Sequence, residues 1–96
     1  MSNRRKVRLH LFIRGELDLP GVPYRQIMRD VARRNNVGGW VRFLPDGSVE
    51  AVLEGDEKDV DAVLRWAYAG PQGTKVREVE IVKEEYTGQY DDFKIL

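Results

Sequence analysis

A short turn near the middle of the 96-residue chain restricts its fold more than any other stretch. The residues Pro45-Asp46-Gly47-Ser48 separate two extended runs, 40–44 and 49–54. Proline, aspartate and glycine in this order favour a tight reversal between two strands. The sequence therefore predicts a β-hairpin, and the remaining elements must pack around it.

Strand and helix patterns flank the hairpin on both sides. Apolar and polar residues alternate, as in strands, over 7–13 and 75–83, and a short run at 92–96 suits a fifth strand. Apolar residues recur at helical spacing over 24–35 and 56–68. The order β-α-β-β-α-β with an extra C-terminal strand predicts an α+β ferredoxin-like sandwich, with two helices on one face of a mostly antiparallel sheet.

Size and composition limit the classes of protein that this chain can be. Ninety-six residues make one domain, 1–96, with a single core. Sixteen basic residues balance sixteen acidic ones, so we expect no nucleic-acid partner. No stretch is long and apolar enough for a membrane span. We therefore expect a cytoplasmic monomer that does not bind membranes.

The chain has no cysteine and a single histidine, His10. A thiolate nucleophile, a disulfide and a metal site built from several histidines are thereby excluded. His10 falls on the more polar face of the first strand, and we assign it no function.

The segment between the first strand and the first helix predicts an anion site. It runs from Gly15 to Arg25 and includes Gly21. Backbone N–H groups in the first turn of a helix lack internal partners, and the helix dipole adds partial positive charge there. The guanidinium of Arg25 would add donors that can hold two phosphate oxygens at once. Most turns of this kind bind nothing, so this segment alone leaves an ordinary solvated turn as the alternative.

The hairpin and its flanks resemble a known family, acylphosphatase, a small hydrolase of carboxyl–phosphate mixed anhydrides. The similarity extends over nearly the whole chain, from about Val7 to Leu96. The residues that carry it are Gly39-Trp40-Val41-Arg42, the run from Leu44 to Glu57, and Gly70-Pro71 followed by Val76 and Val79.

This resemblance implies functions for several residues. In acylphosphatases the loop after the first strand holds a phosphate with backbone amides, an arginine at its end binds the same phosphate, and an asparagine in the second strand positions the attacking water. Arg25 matches the arginine, and Gly21, Val22 and Tyr24 belong to the matching loop as substrate-binding residues. The implied reaction is the hydrolysis of a small acyl phosphate by in-line attack of water on phosphorus, with no metal and no cofactor.

Three departures from the family pattern lead us to expect impaired or lost hydrolysis. The segment from Gly15 to Arg25 is two residues longer than the family's Gly-x-Val-Gln-Gly-Val-x-Phe-Arg. Pro23 supplies no N–H donor. Phe43 occupies the position of the water-orienting asparagine, and it is not itself catalytic because a phenyl ring has no polar atom.

Other residues and other functions stay open at this stage. Asn35 and Asn36 suit a helix end better than a water-orienting position, and Asp18 would repel a phosphate. The alternative to an enzyme is a non-catalytic domain that binds phosphate, carboxylate or a protein. A third class is an RNA-binding or interaction surface made by Arg4, Arg5, Lys6, Arg33 and Arg34. Four further aromatic residues are expected to pack or to lie on the surface: Trp40, Trp66, Tyr86 and Tyr90.

Overall fold

A computed structural model describes residues 5–96 of the chain, so that Arg4 of the basic set lies outside the described residues. In chain order the elements are β1 (Lys6–Glu16), α1 (Tyr24–Arg34), β2 (Gly38–Phe43), β3 (Val49–Asp56), α2 (Glu57–Ala69), β4 (Lys75–Glu84) and β5 (Phe93–Ile95). The order of strands and helices is the predicted one, including the additional C-terminal strand. The predicted ferredoxin-like α+β fold is confirmed.

The strands form one sheet in the order β4-β1-β3-β2-β5. β1 pairs antiparallel with both β3 and β4, β2 pairs antiparallel with β3, and β5 runs parallel to β2. Side chains alternate between the two faces of a strand. In β1, Leu9, Leu11 and Ile13 therefore join the core under the helices, while His10 and Phe12 face the other side.

The two helices pack on one face of this sheet and close the core. Their fully or nearly fully buried residues recur at helical spacing, as the sequence predicts. α1 contributes Tyr24, Met28, Val31 and Ala32, and α2 contributes Val60, Val63 and Ala67. No helix within residues 5–96 is long and apolar enough to cross a membrane.

Pro23 and two asparagines mark the ends of α1. Pro23 stands just before the helix and not inside its first turn, and its carbonyl accepts the Ile27 N–H at 3.0 Å. At the other end the Asn35 side-chain amide donates to the Val31 carbonyl at 2.8 Å, and Asn36 adopts a positive φ of 57°. Both asparagines therefore end the helix, as predicted.

The predicted hairpin joins β2 to β3. The Leu44 N–H donates to the Ser48 carbonyl (2.8 Å), and the Gly47 N–H donates back to the Leu44 carbonyl (2.9 Å). The Asp46 carboxylate accepts the Ser48 N–H (2.9 Å) and stabilises the turn. This turn fixes the register in which Phe43, the last residue of β2, lies opposite Val49.

Candidate functional site

The end of β1 leads into the candidate loop through a close contact with β4. The register of the two strands shifts between Arg14 and Gly15, as at a β-bulge. Gly15 has a φ of +155°, and a Cβ atom there would lie 1.9 Å from the Lys75 carbonyl oxygen. Only glycine allows β1 and β4 to approach this closely, and the contact determines where the loop begins.

Internal hydrogen bonds hold the loop in a compact turn. Its first residue after β1, Leu17, is buried in the core. The Val22 N–H donates to the Leu19 carbonyl at 3.1 Å, and the Tyr24 N–H donates to the Val22 carbonyl at 2.9 Å. Two amides of the expected phosphate cradle are thus already engaged within the loop, and Pro23 carries no N–H.

Gly21 is the exposed point of the same loop. Its φ is +80°, and a Cβ atom built there would meet nothing within 4 Å. Among residues 5–96 its N–H has no hydrogen-bond partner. The neighbouring Val22 side chain packs toward Gly73, where a Cβ atom would lie 3.6 Å from Val22 Cγ2. The Gly21 N–H is therefore a backbone donor without a partner that lies beside the apolar Val22 side chain.

The structure brings Arg25 and Phe43 together. The guanidinium carbon Cζ of Arg25 lies 4.9 Å from the centroid of the Phe43 ring, a cation–π distance. The Arg25 Nε is buried and has no hydrogen-bond partner among the described residues. A buried donor without an acceptor costs about 1–3 kcal/mol. Because this nitrogen lies at the base of the candidate loop, it is suited to an anion supplied from outside the chain.

The Phe43 ring belongs to the edge of the core. Its centroid lies 6.4 Å from that of Tyr24, whose ring in turn lies 5.2 Å from Trp66. The Tyr24 hydroxyl is buried without a hydrogen-bond partner within the described range, and burial raises the pKa of this hydroxyl. Phe43, which the sequence resemblance matches to the family's asparagine, therefore presents an apolar ring beside Tyr24.

The three residues considered from the sequence as substitutes for that asparagine lie away from Arg25 or make their contacts elsewhere. Asn35 and Asn36 end α1 and make their contacts there. Asp18 is exposed in the loop and makes no hydrogen bond or ion pair with another described residue. Within residues 5–96 no carboxylate or amide side chain is hydrogen-bonded to Arg25. None of these three side chains is therefore hydrogen-bonded to Arg25.

Two cavities of the molecule lie away from this loop. One cavity of about 300 Å³ lies between the start of β1, α2 and the end of β4. A second, of about 200 Å³, lies beside the end of α1. Neither is lined by a residue between Gly15 and Arg25.

On the open face of the sheet, His10 lies between two carboxylates that the sequence did not reveal. Its Nε2 is 2.8 Å from Glu50 Oε2, and its Nδ1 is 3.0 Å from Glu84 Oε2. The ring also stacks on Phe12, with centroids 4.7 Å apart. Burial lowers the pKa of His10, but the hydrogen bonds to the two carboxylates outweigh it and raise the pKa above its ordinary value. When the ring is protonated, both of its nitrogens donate to these carboxylates.

The Glu54 carboxylate binds the segment that follows β4 to the open face of the sheet. Its carboxylate accepts the Thr87 N–H (2.9 Å), the Thr87 hydroxyl (2.8 Å) and the Gly88 N–H (3.0 Å). It also accepts a hydrogen bond from Arg8 at 3.1 Å. Burial raises the pKa of Glu54, but these four donors outweigh it and lower the pKa. A buried carboxylate thereby holds the chain as it crosses from β4 to β5.

Comparison with known proteins finds relatives of this chain in one family. The family profile described as Acylphosphatase matches residues 9–95. A protein named Acylphosphatase from Pyrobaculum aerophilum is 53% identical over 90 residues, which cover 93% of each chain. A second, from Syntrophus aciditrophicus, is 43% identical over 89 residues, covering 93% of this chain and 91% of that protein.

A solved structure shows the same similarity in three dimensions. The structure of an acylphosphatase from Coxiella burnetii superposes with a TM-score of 0.87 and covers 100% of both chains at 26% identity. The match includes both helices and the sheet on which the Gly15–Arg25 loop is built. With the match of the family profile to residues 9–95, these similarities establish that the chain belongs to the acylphosphatase family.

Proposed function

We propose that this chain binds the phosphoryl group of a small acyl phosphate at the Gly15–Arg25 loop and hydrolyses it slowly. Membership of the acylphosphatase family supports the substrate class. The observation that carries the assignment is the buried Arg25 Nε without a partner, at the end of a loop whose Gly21 N–H is also unengaged. Two hydrogen-bond donors without acceptors in one loop favour an oxyanion ligand.

The reaction needs charge stabilisation more than covalent participation by the protein. Water attacks phosphorus in line with the acyl oxygen, the bond between phosphorus and that oxygen breaks, and the carboxylate and inorganic phosphate leave. Arg25 would stabilise the equatorial phosphoryl oxygens, on which negative charge is concentrated. The Gly21 N–H would fix one of these oxygens from the other side. Positioning by these two groups lowers the barrier.

Phe43 is the reason why we propose slow turnover. The ring lies beside the Arg25 guanidinium and can neither donate to nor accept from a water molecule. Loss of one preorganised polar group commonly lowers turnover by about 10² to 10³. The Val22 and Tyr24 amides also donate within the loop, which leaves fewer donors for the phosphate.

The test is hydrolysis of benzoyl phosphate by the wild-type chain, Arg25→Ala and Arg34→Ala. Arg34 is an exposed arginine in the last turn of the same helix, so its substitution controls for the loss of one positive charge. We expect turnover above buffer in the wild type, loss of about 10²-fold or more in Arg25→Ala, and little change in Arg34→Ala. Equal rates for all three proteins would contradict the proposal.

The alternative function is phosphate or carboxylate binding without turnover, and the apolar position of Phe43 favours it. Inorganic phosphate would then shift the amide resonances of Gly21, Val22 and Arg25 in a saturable way while benzoyl phosphate stays intact. If the resonances move and hydrolysis is absent, the domain is a binding module. If neither occurs at millimolar phosphate, both functions are wrong.

The remaining expectations concern partners and location. We propose a monomer without a nucleic-acid partner and with a cytoplasmic location. The net charge of zero supports the absence of a nucleic-acid partner. Local ion pairs support it as well, since Arg8, Arg14 and Arg42 are each paired with a glutamate. Light scattering tests the monomeric state. Salt-sensitive binding of single-stranded RNA would contradict the absence of a nucleic-acid partner.

A further inference from the structure

The 300 Å³ cavity lies far from the candidate active site. It is bounded by the start of β1, one side of α2 and the end of β4, whereas the Gly15–Arg25 loop follows the other end of β1. Only residues 10–14 of β1 lie between the groove residue Leu9 and Gly15, which corresponds to about 20 Å of extended strand. We call this cavity the β1–α2 groove. Any ligand that occupies it binds independently of the phosphoryl group.

The floor of the β1–α2 groove is apolar. Val7 and Leu9 supply it from β1, and Val60 and Leu64 supply it from α2. The four side chains belong to, or pack against, the hydrophobic core. A hydrocarbon group laid on this floor would therefore be removed from water along most of one side.

The strand wall of the groove is mainly basic and the helix wall is acidic. Three residues of the strand wall are engaged in ion pairs: Arg8 with Glu84 at 2.7 Å, and Lys6 with Asp56 at 2.9 Å. Arg5 and Lys83 line the strand wall, and neither has an ion-pair partner among residues 5–96. Lys83 lies directly opposite Leu9 in the β1–β4 register and so shares the face of that floor residue. On the helix wall stands Glu57, which is likewise without an ion-pair partner in the described part of the chain. Asp61, also on this wall, is paired with Arg65 at 2.7 Å.

A backbone contact fixes the separation of these walls. The Glu57 N–H donates to the Arg5 carbonyl at 2.8 Å and joins the start of α2 to the residue before β1. This hydrogen bond therefore connects the two backbone segments that carry Arg5 and Glu57. A ligand that matches them carries a negative and a positive group with an apolar body between or beside them.

From this arrangement we infer that the β1–α2 groove binds a zwitterionic amino acid with an aliphatic side chain. The carboxylate would lie at Arg5 and Lys83, the ammonium group at Glu57, and the side chain on Val7 and Leu64. The groove is at the lower end of the volume range of small-molecule sites and is open to solvent. For a ligand of this size we expect a dissociation constant of about 1 mM.

The test is a titration of the full-length ¹⁵N-labelled protein with L-leucine, followed by amide resonances. We expect saturable shifts at Val60, Leu64 and Lys83. N-acetyl-leucine lacks the ammonium charge and leucinamide lacks the carboxylate, so each should bind roughly tenfold more weakly. Glu57→Gln should remove the preference for leucine over N-acetyl-leucine, and Lys83→Gln should remove the preference over leucinamide. Lys94→Gln, on the opposite edge of the sheet, is the control and should change neither.

Four results would overturn the inference. The first is the absence of saturable shifts at these residues up to about 50 mM leucine. The second is equal affinity for leucine and its two singly charged analogues. The third is shifts that depend on protein concentration without leucine, which would mean that a second copy of the chain covers the groove. The fourth is shifts confined to Gly21 and Arg25, which would mean that the candidate loop takes the carboxylate.

Discussion

The Arg25 guanidinium lies against the face of the Phe43 ring, with 4.9 Å between the guanidinium carbon and the ring centroid. Under the proposed function Arg25 binds the phosphate, and the sequence resemblance gives Phe43 the position of the asparagine that directs water in the family. In this chain the contact between them is cation–π and not polar. Binding and water activation are therefore separable properties at this site, and the following substitutions separate them.

Phe43→Asn should raise the turnover of benzoyl phosphate by about 10- to 10³-fold, because the amide would supply the missing donor and acceptor for water. Phe43→Leu is the matched control, since it removes the ring without adding a polar atom, and it should not raise turnover. Initial rates at saturating substrate distinguish the two. An equal gain in both variants would show that the ring only obstructs the site, and no gain in either would show that the loop fails to hold substrate.

Gly15→Ala should lower the free energy of unfolding by about 3 kcal/mol or more, because the added Cβ would lie 1.9 Å from the Lys75 carbonyl oxygen at a φ of +155°. Gly47→Ala is the control: its φ is +86°, but a Cβ atom there would meet nothing within 4 Å. That change should cost only about 1 kcal/mol of backbone strain. Urea unfolding of the three proteins gives both values, and similar losses would mean that the contact of β1 with β4 can relax.

The stability contributed by His10 should depend on pH. Its pKa is raised in the folded chain, so its contribution is fully present below the unfolded value of about 6.5 and is lost as pH rises through the folded value. The charged groups that face it or its partners are Glu50, Glu84, Arg8 and Arg42. The pKa values of the Glu50 and Glu84 carboxyls are lowered in the folded chain, so both carboxyls stay ionised above about pH 5.5.

The measurement is the urea midpoint of the wild type and His10→Gln at pH 5.5 and pH 9. We expect the wild type to exceed the variant clearly at pH 5.5 and by less at pH 9, because only the imidazolium donates to both carboxylates. A difference independent of pH would mean that His10 stabilises the sheet through its stack on Phe12 alone.

Glu54→Gln should loosen the chain between β4 and β5. The amide keeps the shape of the side chain but removes the charge that accepts from Arg8, Thr87 and Gly88. We expect a loss of about 2–4 kcal/mol in the free energy of unfolding. Amide exchange at Thr87 and Gly88 should become faster, while exchange in α1 follows only the global stability. Unchanged exchange at both residues would show that other contacts hold the segment.

Periodicity predicted the helices and strands well because it is a local property of the sequence. The first helix was expected over 24–35 and extends over Tyr24–Arg34. The first strand was expected over 7–13 and extends over Lys6–Glu16, because pairing with β4 continues past the bulge to Lys75. That partner is about sixty residues away in the chain, and no pattern within 7–16 indicates it.

The candidate site was predictable only in part. The resemblance to the family predicted that Arg25 and Phe43 both belong to the site, and the structure brings the two side chains into contact. The hydrogen bonds that engage the Val22 and Tyr24 amides depend on how the longer loop folds back on itself, which its composition does not specify. The partners of His10 come from two other strands, 40 and 74 residues later in the sequence, and only the sheet brings them together.

The hydrogen bond from the Val22 N–H to the Leu19 carbonyl has a kinetic consequence for the proposed phosphate site. To receive that N–H, a phosphate must displace a carbonyl that is already bound, so the loop must open before it closes on the anion. Binding then includes a conformational step, and the association rate levels off at high phosphate concentration instead of rising in proportion to it. The Leu19 carbonyl thus competes, from within the loop, with the substrate for an N–H group that would bind the phosphate.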